Sequence, residues 1–149
     1  MPFLLLKLVH VLAAIVAVGS NVTYAFWLRR AGHDRDKLTW AIGGIQMLDS
    51  RVANPAYIVL LITGLWMVLG GFGFSFERLW IALALALYVG LVIVGIFLYA
   101  PVVRQQLAEA ERDPTSPEYA AIARRSTLLG VITLVAVLVI VGLMVTKPG

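Results

Sequence analysis

Four long runs without a charged side chain divide this sequence. They are 21, 25, 25 and 21 residues long, and they separate Lys7 from Arg29, Arg51 from Glu77, Arg78 from Arg104, and Arg125 from Lys147. An α-helix needs about 20 consecutive apolar residues to cross the hydrocarbon core of a bilayer. Each run is long enough for that, so the sequence predicts an integral membrane protein with four spans.

Composition excludes several classes of protein. Hydrophobic residues make up 61% of the chain and charged residues 13%, whereas a soluble domain has about 45–50% and about 25%. A soluble domain, a disordered chain and a collagen-like fibre are therefore excluded. The net charge of +4 does not indicate nucleic-acid binding, because the basic residues border apolar runs and form no patch with exposed aromatic side chains. Without cysteine there is no disulfide and no thiolate ligand.

The spans are predicted to be helices. Runs such as residues 81–88 and 131–141 are apolar on every side, whereas the strands of a membrane barrel alternate apolar and polar residues. The fold class is thus an all-α membrane protein, a four-helix bundle in which one domain covers residues 1–149. We expect helices near residues 3–28, 55–70, 76–103 and 118–146, with loops at 29–54 and 104–117.

Local signals refine these boundaries. Three residues are predicted N-caps, namely Asn54 (ahead of Pro55), Ser75 and Ser116. Pro101 should kink the third helix, which then continues over residues 102–110. Residues 38–48 are either an amphipathic helix lying in the membrane interface, with Trp40 and Met47 in it, or a plain surface loop.

Charge predicts the orientation. Nine Lys and Arg residues lie in or beside the loops at 29–54 and 104–117, and three lie on the other side of the membrane. Cytoplasmic loops carry the excess of positive charge. We therefore expect both loops in the cytoplasm and both termini on the outer face.

Small residues predict helix contacts. Ala82, Ala86 and Gly90 recur every four residues on the third helix, and Ala13 and Ala17 do so on the first. Such spacing lets two helix backbones approach closely. Packing within the bundle is the first interpretation, and the seam of a homodimer is the second.

Lys7 and His10 are the ionisable residues within the predicted spans. They share one helix face with Ala14, Ala17, Asn21 and Tyr24, so this face should point into the bundle. Lys7 either extends to the interface or holds an anionic ligand beside His10. His10 either forms a structural hydrogen bond between helices or has a metal, haem or proton-handling role.

Two hypotheses for a site at His10 involve a haem group or a copper ion. A bis-histidine haem within one chain is excluded, because His33 lies 23 residues beyond His10, about 34 Å along a helix. A histidine–methionine haem b site stays open, with Met67 or Met144 as the second ligand. The same three residues are a candidate Cu(I) site. The alternative is that the methionines only fill gaps in the core.

The order of several short motifs is similar to a known family. Leu-Val-His-Val-Leu stands at residues 8–12, Thr-Gly-Leu-Trp at 63–66, Ala-Pro-Val-Val-Arg at 100–104 and Met-Val-Thr-Lys-Pro at 144–148. The chain resembles the bacterial integral membrane proteins of domain of unknown function 2269 over nearly its whole length. The resemblance implies a four-helix protein of the bacterial inner membrane.

That family is similar in turn to the haem-containing protoporphyrinogen IX oxidase of bacteria and to the membrane part of copper-resistance D proteins. By that resemblance His10 would match the first-span histidine of the oxidase, a haem ligand. The oxidase pattern also has a lysine and a second histidine in its third span, and residues 81–95 contain neither. The resemblance therefore implies the architecture more directly than the chemistry.

Four functions remain open at this level. The first is a non-enzymatic bundle that binds a ligand or a membrane protein partner, which the lack of acid–base residues and of nucleotide or hydrolase motifs favours. The second is a haem b redox protein that uses His10. Copper binding or passage comes third. A small transporter comes last, because ion coupling needs more charges inside the membrane.

Overall fold

The protein consists of four long helical rods. The structure, a computed structural model, describes residues 2–148. Within them the α-helices are α1 (Pro2–Ala31), α2 (Arg35–Leu48), α3 (Asn54–Leu69), α4 (Leu79–Val94), α5 (Ala100–Arg112) and α6 (Pro117–Thr146). A first π-helical turn, Asp49–Ala53, joins α2 to α3, and a second, Gly95–Tyr99, joins α4 to α5. Four helices are long and apolar enough to cross a membrane, which confirms the all-α, four-span class.

The two ends of the bundle differ in character. The rods alternate in direction, so the start of α1, the loop before α4 and the end of α6 meet at one end. There the rings of Phe3 and Phe72 lie 5.2 Å apart, and Lys147 Nζ lies 5.8 Å from the ring centre of Phe74. We name this the terminal end. The opposite end holds α2, α5 and the nine predicted loop cations, and we name it the basic end.

Helix α1 is central to the packing. It contacts α3 on one side and α6 on the other, and α6 also contacts α4. No Cα atom of α3 lies within 8 Å of α4. Tyr88 on α4 bridges this gap, because its hydroxyl donates a 2.7 Å hydrogen bond to the carbonyl of Tyr57 on α3.

The main hydrophobic core lies at the basic end. It is formed by α1, α2, α5 and α6, and its buried residues are Ala31, Leu38, Ala41, Ile42, Val103, Ala110 and Tyr119. Along the spans, by contrast, most large apolar side chains face outward, where lipid surrounds them. Water drives apolar burial and hydrocarbon does not. A core of this kind is therefore expected where the helices leave the membrane.

The predicted loop at 29–54 is mostly helical, so that boundary is wrong. Residues 35–53 form α2 and the first π turn, continuous with α3. Leu38, Ile42 and Ile45 lie on one face of α2 and are buried. Residues 38–48 are helical, so the interpretation as a plain surface loop is wrong. The position of this helix in the membrane interface stays a prediction. The helix packs on α1 and α5 as part of the protein core, because its apolar stripe finds a partner there.

Proline explains both π turns. Pro55 and Pro101 each stand six residues after the first residue of a π turn. Proline has no N–H for the bond to the fourth residue back, and its ring collides with that carbonyl. The helix widens instead: the N–H of Asn54 donates to the carbonyl of Asp49, five residues back, and Ala100 does the same to Gly95.

These π turns correct two predicted boundaries. Asn54 has helical backbone angles within a continuous helix, so it is not an N-cap. Where a kink was predicted at Pro101, the structure has the second π turn just before it. The continuation over residues 102–110 is confirmed, since α5 runs to Arg112.

Of the two serines predicted to be N-caps, one caps its helix and the other does not. Ser116 caps α6 as predicted, because its Oγ accepts the N–H of Tyr119 at 3.0 Å. Ser75 does not cap α4, which begins only at Leu79. Its Oγ accepts the N–H of Glu77 at 3.2 Å within the preceding turn.

Of the two predicted small-residue stripes, one is buried in the bundle and the other is exposed. Ala13 and Ala17 are buried in the bundle as predicted. On α4 the stripe of Ala82, Ala86 and Gly90 is exposed, so packing inside the bundle is wrong for it. The buried residues of α4 are Trp80, Ile81 and Ala84. The homodimer seam stays a prediction.

We expect Ile42→Ala to destabilise the protein by about 2–5 kcal/mol, because it would leave a cavity in the basic-end core. Ile42 is 1% exposed, whereas Met47 on the same helix is 54% exposed. Chemical unfolding in detergent micelles measures both, with Met47→Ala as the matched control. Equal losses for the two variants would contradict the placement of the core.

Candidate functional site

His10 forms a hydrogen bond between α1 and α3. Its Nδ1 lies 2.8 Å from Oγ1 of Thr63. That hydroxyl donates its own proton to the carbonyl of Val59 at 2.7 Å, so it accepts from the histidine. His10 therefore carries a proton on Nδ1 and donates it to Thr63.

Gly64 allows the histidine to approach α3 closely. A Cβ atom at Gly64 would lie 3.3 Å from Cε1 of His10, tighter than an ordinary contact. The ring thus lies across the backbone of α3, and the predicted inward face of α1 is confirmed at this residue. Thr63 and Gly64 together form the surface of α3 that the His10 side chain contacts.

The other residues of the predicted ligand site are not gathered around His10. Lys7 is exposed. Met67 is half-buried on α3, whereas Met144 is 36% exposed on α6. Helices α3 and α6 have no Cα atoms within 8 Å of each other, because α1 lies between them. No contact among the described residues joins the three candidate copper ligands.

Gly64 on α3 lies close to the Cε1 edge of the His10 ring, beside Nε2, the nitrogen that a haem iron would use. His33 is at the opposite end of the bundle. The two clefts described below lie at the basic end and contain neither histidine.

A polar cleft lies between the two π turns. It has a volume of about 260 Å³, and Asp49 and Ser50 of the first π turn face Tyr99 of the second across it. The other lining residues are Ile45, Gln46, Asn54, Ala100, Val103 and Arg104. We name it the π cleft. The lining residues from α2, α3 and α5 are therefore positioned by the same pair of proline-induced turns.

Asp49 and Arg104 are the charged groups of the π cleft. Asp49 is half-buried, and its carboxylate accepts a long hydrogen bond of 3.5 Å from Nδ2 of Asn54. Arg104 is exposed at the mouth. No ion pair joins the two among the described residues, since the salt bridges there are Lys37–Asp34 and Arg112–Glu109. The cleft thus presents a separated anion and cation.

One buried polar atom of the cleft has no hydrogen-bond partner among the described residues. It is Nε2 of Gln46. Tyr24 is 5% exposed, and its hydroxyl lies close enough to the Asp49 carboxylate to interact with it. An unsatisfied buried polar atom costs about 1–3 kcal/mol. The Gln46 amide near a half-buried carboxylate indicates a site that a further polar group completes.

A short polar chain joins α1, α3 and α4. Nδ2 of Asn21 donates to the hydroxyl of Tyr57 at 2.5 Å, and Tyr57 in turn accepts from Tyr88 at its carbonyl. Asn21 and Tyr24 continue the polar face of α1 that His10 begins. Most of that face is therefore used for contacts between helices.

Sequence reasoning missed the π cleft, because it placed Asp49 in the predicted loop at 29–54. The signal was present: two prolines, Pro55 and Pro101, each stand within an otherwise helical run. Such prolines induce local widening of the helix, and π turns are frequent at functional sites. That both turns border one cleft required the tertiary structure.

Comparison with known proteins gives the family. Residues 4–148 match the family described as predicted integral membrane protein (DUF2269). The chain belongs to this family. The match covers nearly the whole sequence and includes every residue of the π cleft, together with Lys7 and His10. No curated protein and no solved structure matches the chain.

For this family member we expect His10 and Thr63 to be energetically coupled. Hydrogen bonds between membrane helices contribute about 0.6 kcal/mol on average and up to about 1.7. A double-mutant cycle of His10→Ala and Thr63→Ala, measured by unfolding in detergent, should give a coupling in this range.

The matched control is a cycle of His10→Ala with Thr127→Ala, because Thr127 bonds only to the carbonyl of Ala123 on its own helix. Coupling in that control as large as for Thr63, or none for Thr63, would show that the bond does not stabilise the α1–α3 contact.

Proposed function

We propose that this protein is a non-enzymatic binding protein of the membrane and that the π cleft is its binding site. The ligand is a small molecule, or a lipid head group, that carries an ammonium group beside an anionic group. The observation that carries the proposal is the separated pair of Asp49 and Arg104 in the π cleft, with the unpartnered Nε2 of Gln46 in the same lining.

The charges of the cleft support this ligand class. The carboxylate of Asp49 is a partner for an ammonium group, and the guanidinium of Arg104 is a partner for a carboxylate or phosphate. Since the two side chains do not pair with each other, neither charge is neutralised by the other before a ligand binds. Gln46 would then add a hydrogen bond within the cleft.

The helix geometry supports it as well. Two π turns at one cleft are a departure from regular helix in both rods, and regular packing does not require either turn. The widened turns place Asp49 and Tyr99 toward the same space. A binding site would explain why both π turns occur beside the same cleft.

The π cleft is distinct from the region around His10. Tyr24 follows His10 by 14 residues, about 21 Å along α1. The bond to Thr63 gives His10 a structural role there. Lys7 is free to extend to the interface, and Met67 and Met144 are separated by α1, so the contacts favour the π cleft over a haem or copper centre.

We expect a soluble zwitterion to stabilise the protein through the π cleft. O-phosphoethanolamine is the probe, with ethanolamine and inorganic phosphate as the half-ligands. A ligand at about a hundredfold excess over Kd stabilises by about 2.7 kcal/mol, which raises the unfolding midpoint of a chain of this size by roughly 5 °C or more. Thermal unfolding in detergent is the measurement.

Asp49→Asn and Arg104→Gln should each remove most of this rise, whereas the matched exposed controls Asp36→Asn and Arg124→Gln should keep it. Repeating the assay with phosphatidylethanolamine in the micelle distinguishes a lipid source of the same chemistry. No rise at tens of millimolar zwitterion and none with the lipid, or an equal rise in all variants, would refute the site.

We further propose that the protein lies in a bacterial inner membrane with its basic end in the cytoplasm and both termini outside. The nine-to-three distribution of cations supports this orientation.

Because the chain has no cysteine, single introduced cysteines report its orientation directly. A membrane-impermeant maleimide should label Ser75→Cys at the terminal end in intact spheroplasts. It should label Thr115→Cys, between α5 and α6, only after lysis. The reverse pattern would invert the proposed topology.

A further inference from the structure

A second, larger groove lies at the elbow between α1 and α2. It has a volume of about 590 Å³ and opens to the surface of the basic end. Its lining side chains include Trp27 and Arg30 from the last turns of α1, and Asp36, Lys37 and Trp40 from the first turns of α2. We name it the elbow groove. It shares no residue with the π cleft.

Two tryptophans form one wall of the elbow groove. The rings of Trp27 and Trp40 lie 5.4 Å apart at an angle of 55°. Trp27 is 40% exposed and Trp40 is 67% exposed, so both rings remain available to a partner. Tryptophan is enriched where a membrane meets water, since its ring is apolar and its N–H is polar.

The sequence sets the depth of the groove. The uncharged run of the first span ends at Leu28, and Arg29 and Arg30 follow at once. Trp27 is thus at the boundary of the hydrocarbon, and Arg30 is at the level of the lipid head groups. Because Trp40 contacts Trp27, the wall from α2 stands at the same level.

The charges of the groove are predominantly positive. Residues 27–41 contain four Lys and Arg side chains and two Asp side chains. Lys37 Nζ lies 3.2 Å from Oδ2 of Asp34, but both side chains are largely exposed, and such surface pairs contribute little. The N–H and ammonium of Lys37 lower the pKa of Asp34. Asp36 is the one carboxylate that lines the groove among the described residues.

We infer that the elbow groove binds the head group of an anionic phospholipid, with the phosphate at Arg30 and Lys37 and the glycerol backbone against Trp27 and Trp40. Charge complementarity and depth favour this occupant over a soluble anion. The indole wall offers contact for the apolar part of a lipid, which a free anion lacks. Guanidinium and ammonium groups both suit phosphate oxygens.

The test uses the full-length protein in nanodiscs of phosphatidylcholine with a minor fraction of phosphatidylglycerol. Native mass spectrometry after release from the disc counts retained lipids of each kind. The wild-type protein should retain phosphatidylglycerol preferentially. Arg30→Gln combined with Lys37→Gln should weaken that retention roughly tenfold, since each cation near the surface contributes to anionic lipid binding.

The matched control is Arg124→Gln combined with Arg125→Gln, which removes the same charge from exposed positions on α6 at the same end. It should retain the lipid within about twofold of wild type. Trp40→Ala should also weaken retention while leaving the unfolding midpoint unchanged, because its ring is mostly exposed.

Three results would overturn the inference. Equal losses in the two double variants would reduce it to general attraction by the basic end. Equal retention of phosphatidylcholine would remove the selectivity. Competition by millimolar inorganic phosphate as effective as by the lipid would make the groove a site for a free anion. None of these bears on the π cleft, which the zwitterion assay tests separately.

Discussion

Inside a membrane every backbone N–H and C=O needs a partner within the chain. At the basic side of this bundle two prolines each remove one N–H donor, so the carbonyl four residues back loses its usual partner. The chain responds at both places in the same way, with a π turn that bonds to the fifth residue back. The two widened turns face one cleft. The position of Asp49, Tyr99 and Arg104 relative to one another follows from this local solution to a hydrogen-bonding problem.

The basic end also holds the main hydrophobic core. Hydrocarbon gives little drive for apolar side chains to leave it, so the spans pack through small residues and hydrogen bonds. At the basic end, α2 and α5 bury Leu38, Ile42 and Val103 as a soluble domain does. This core fixes the two rods that carry the π turns, and it leaves the gap between α3 and α4 to a single tyrosine bridge.

Helix α1 links the three regions of interest. At the terminal side His10 joins it to α3, at its middle Asn21 bonds to Tyr57, and near its end Trp27 forms the wall of the elbow groove. A conspicuous intramembrane histidine therefore has a structural partner. The unpartnered amide of Gln46 lies elsewhere, in the π cleft with Asp49. Unpaired polar atoms guide the functional interpretation better than residue type does.

The sequence alone determined the four spans, the helical class, the inward face of α1 and the family, because each depends on the length and periodicity of apolar runs and on short motifs. It did not determine that residues 35–53 are helical or that Asp49 is half-buried. Those features arise from contacts between α2 and α5, which are far apart in the chain. Periodicity shows which face of a helix is apolar, but only packing decides what that face meets, and so which polar groups are left without a partner.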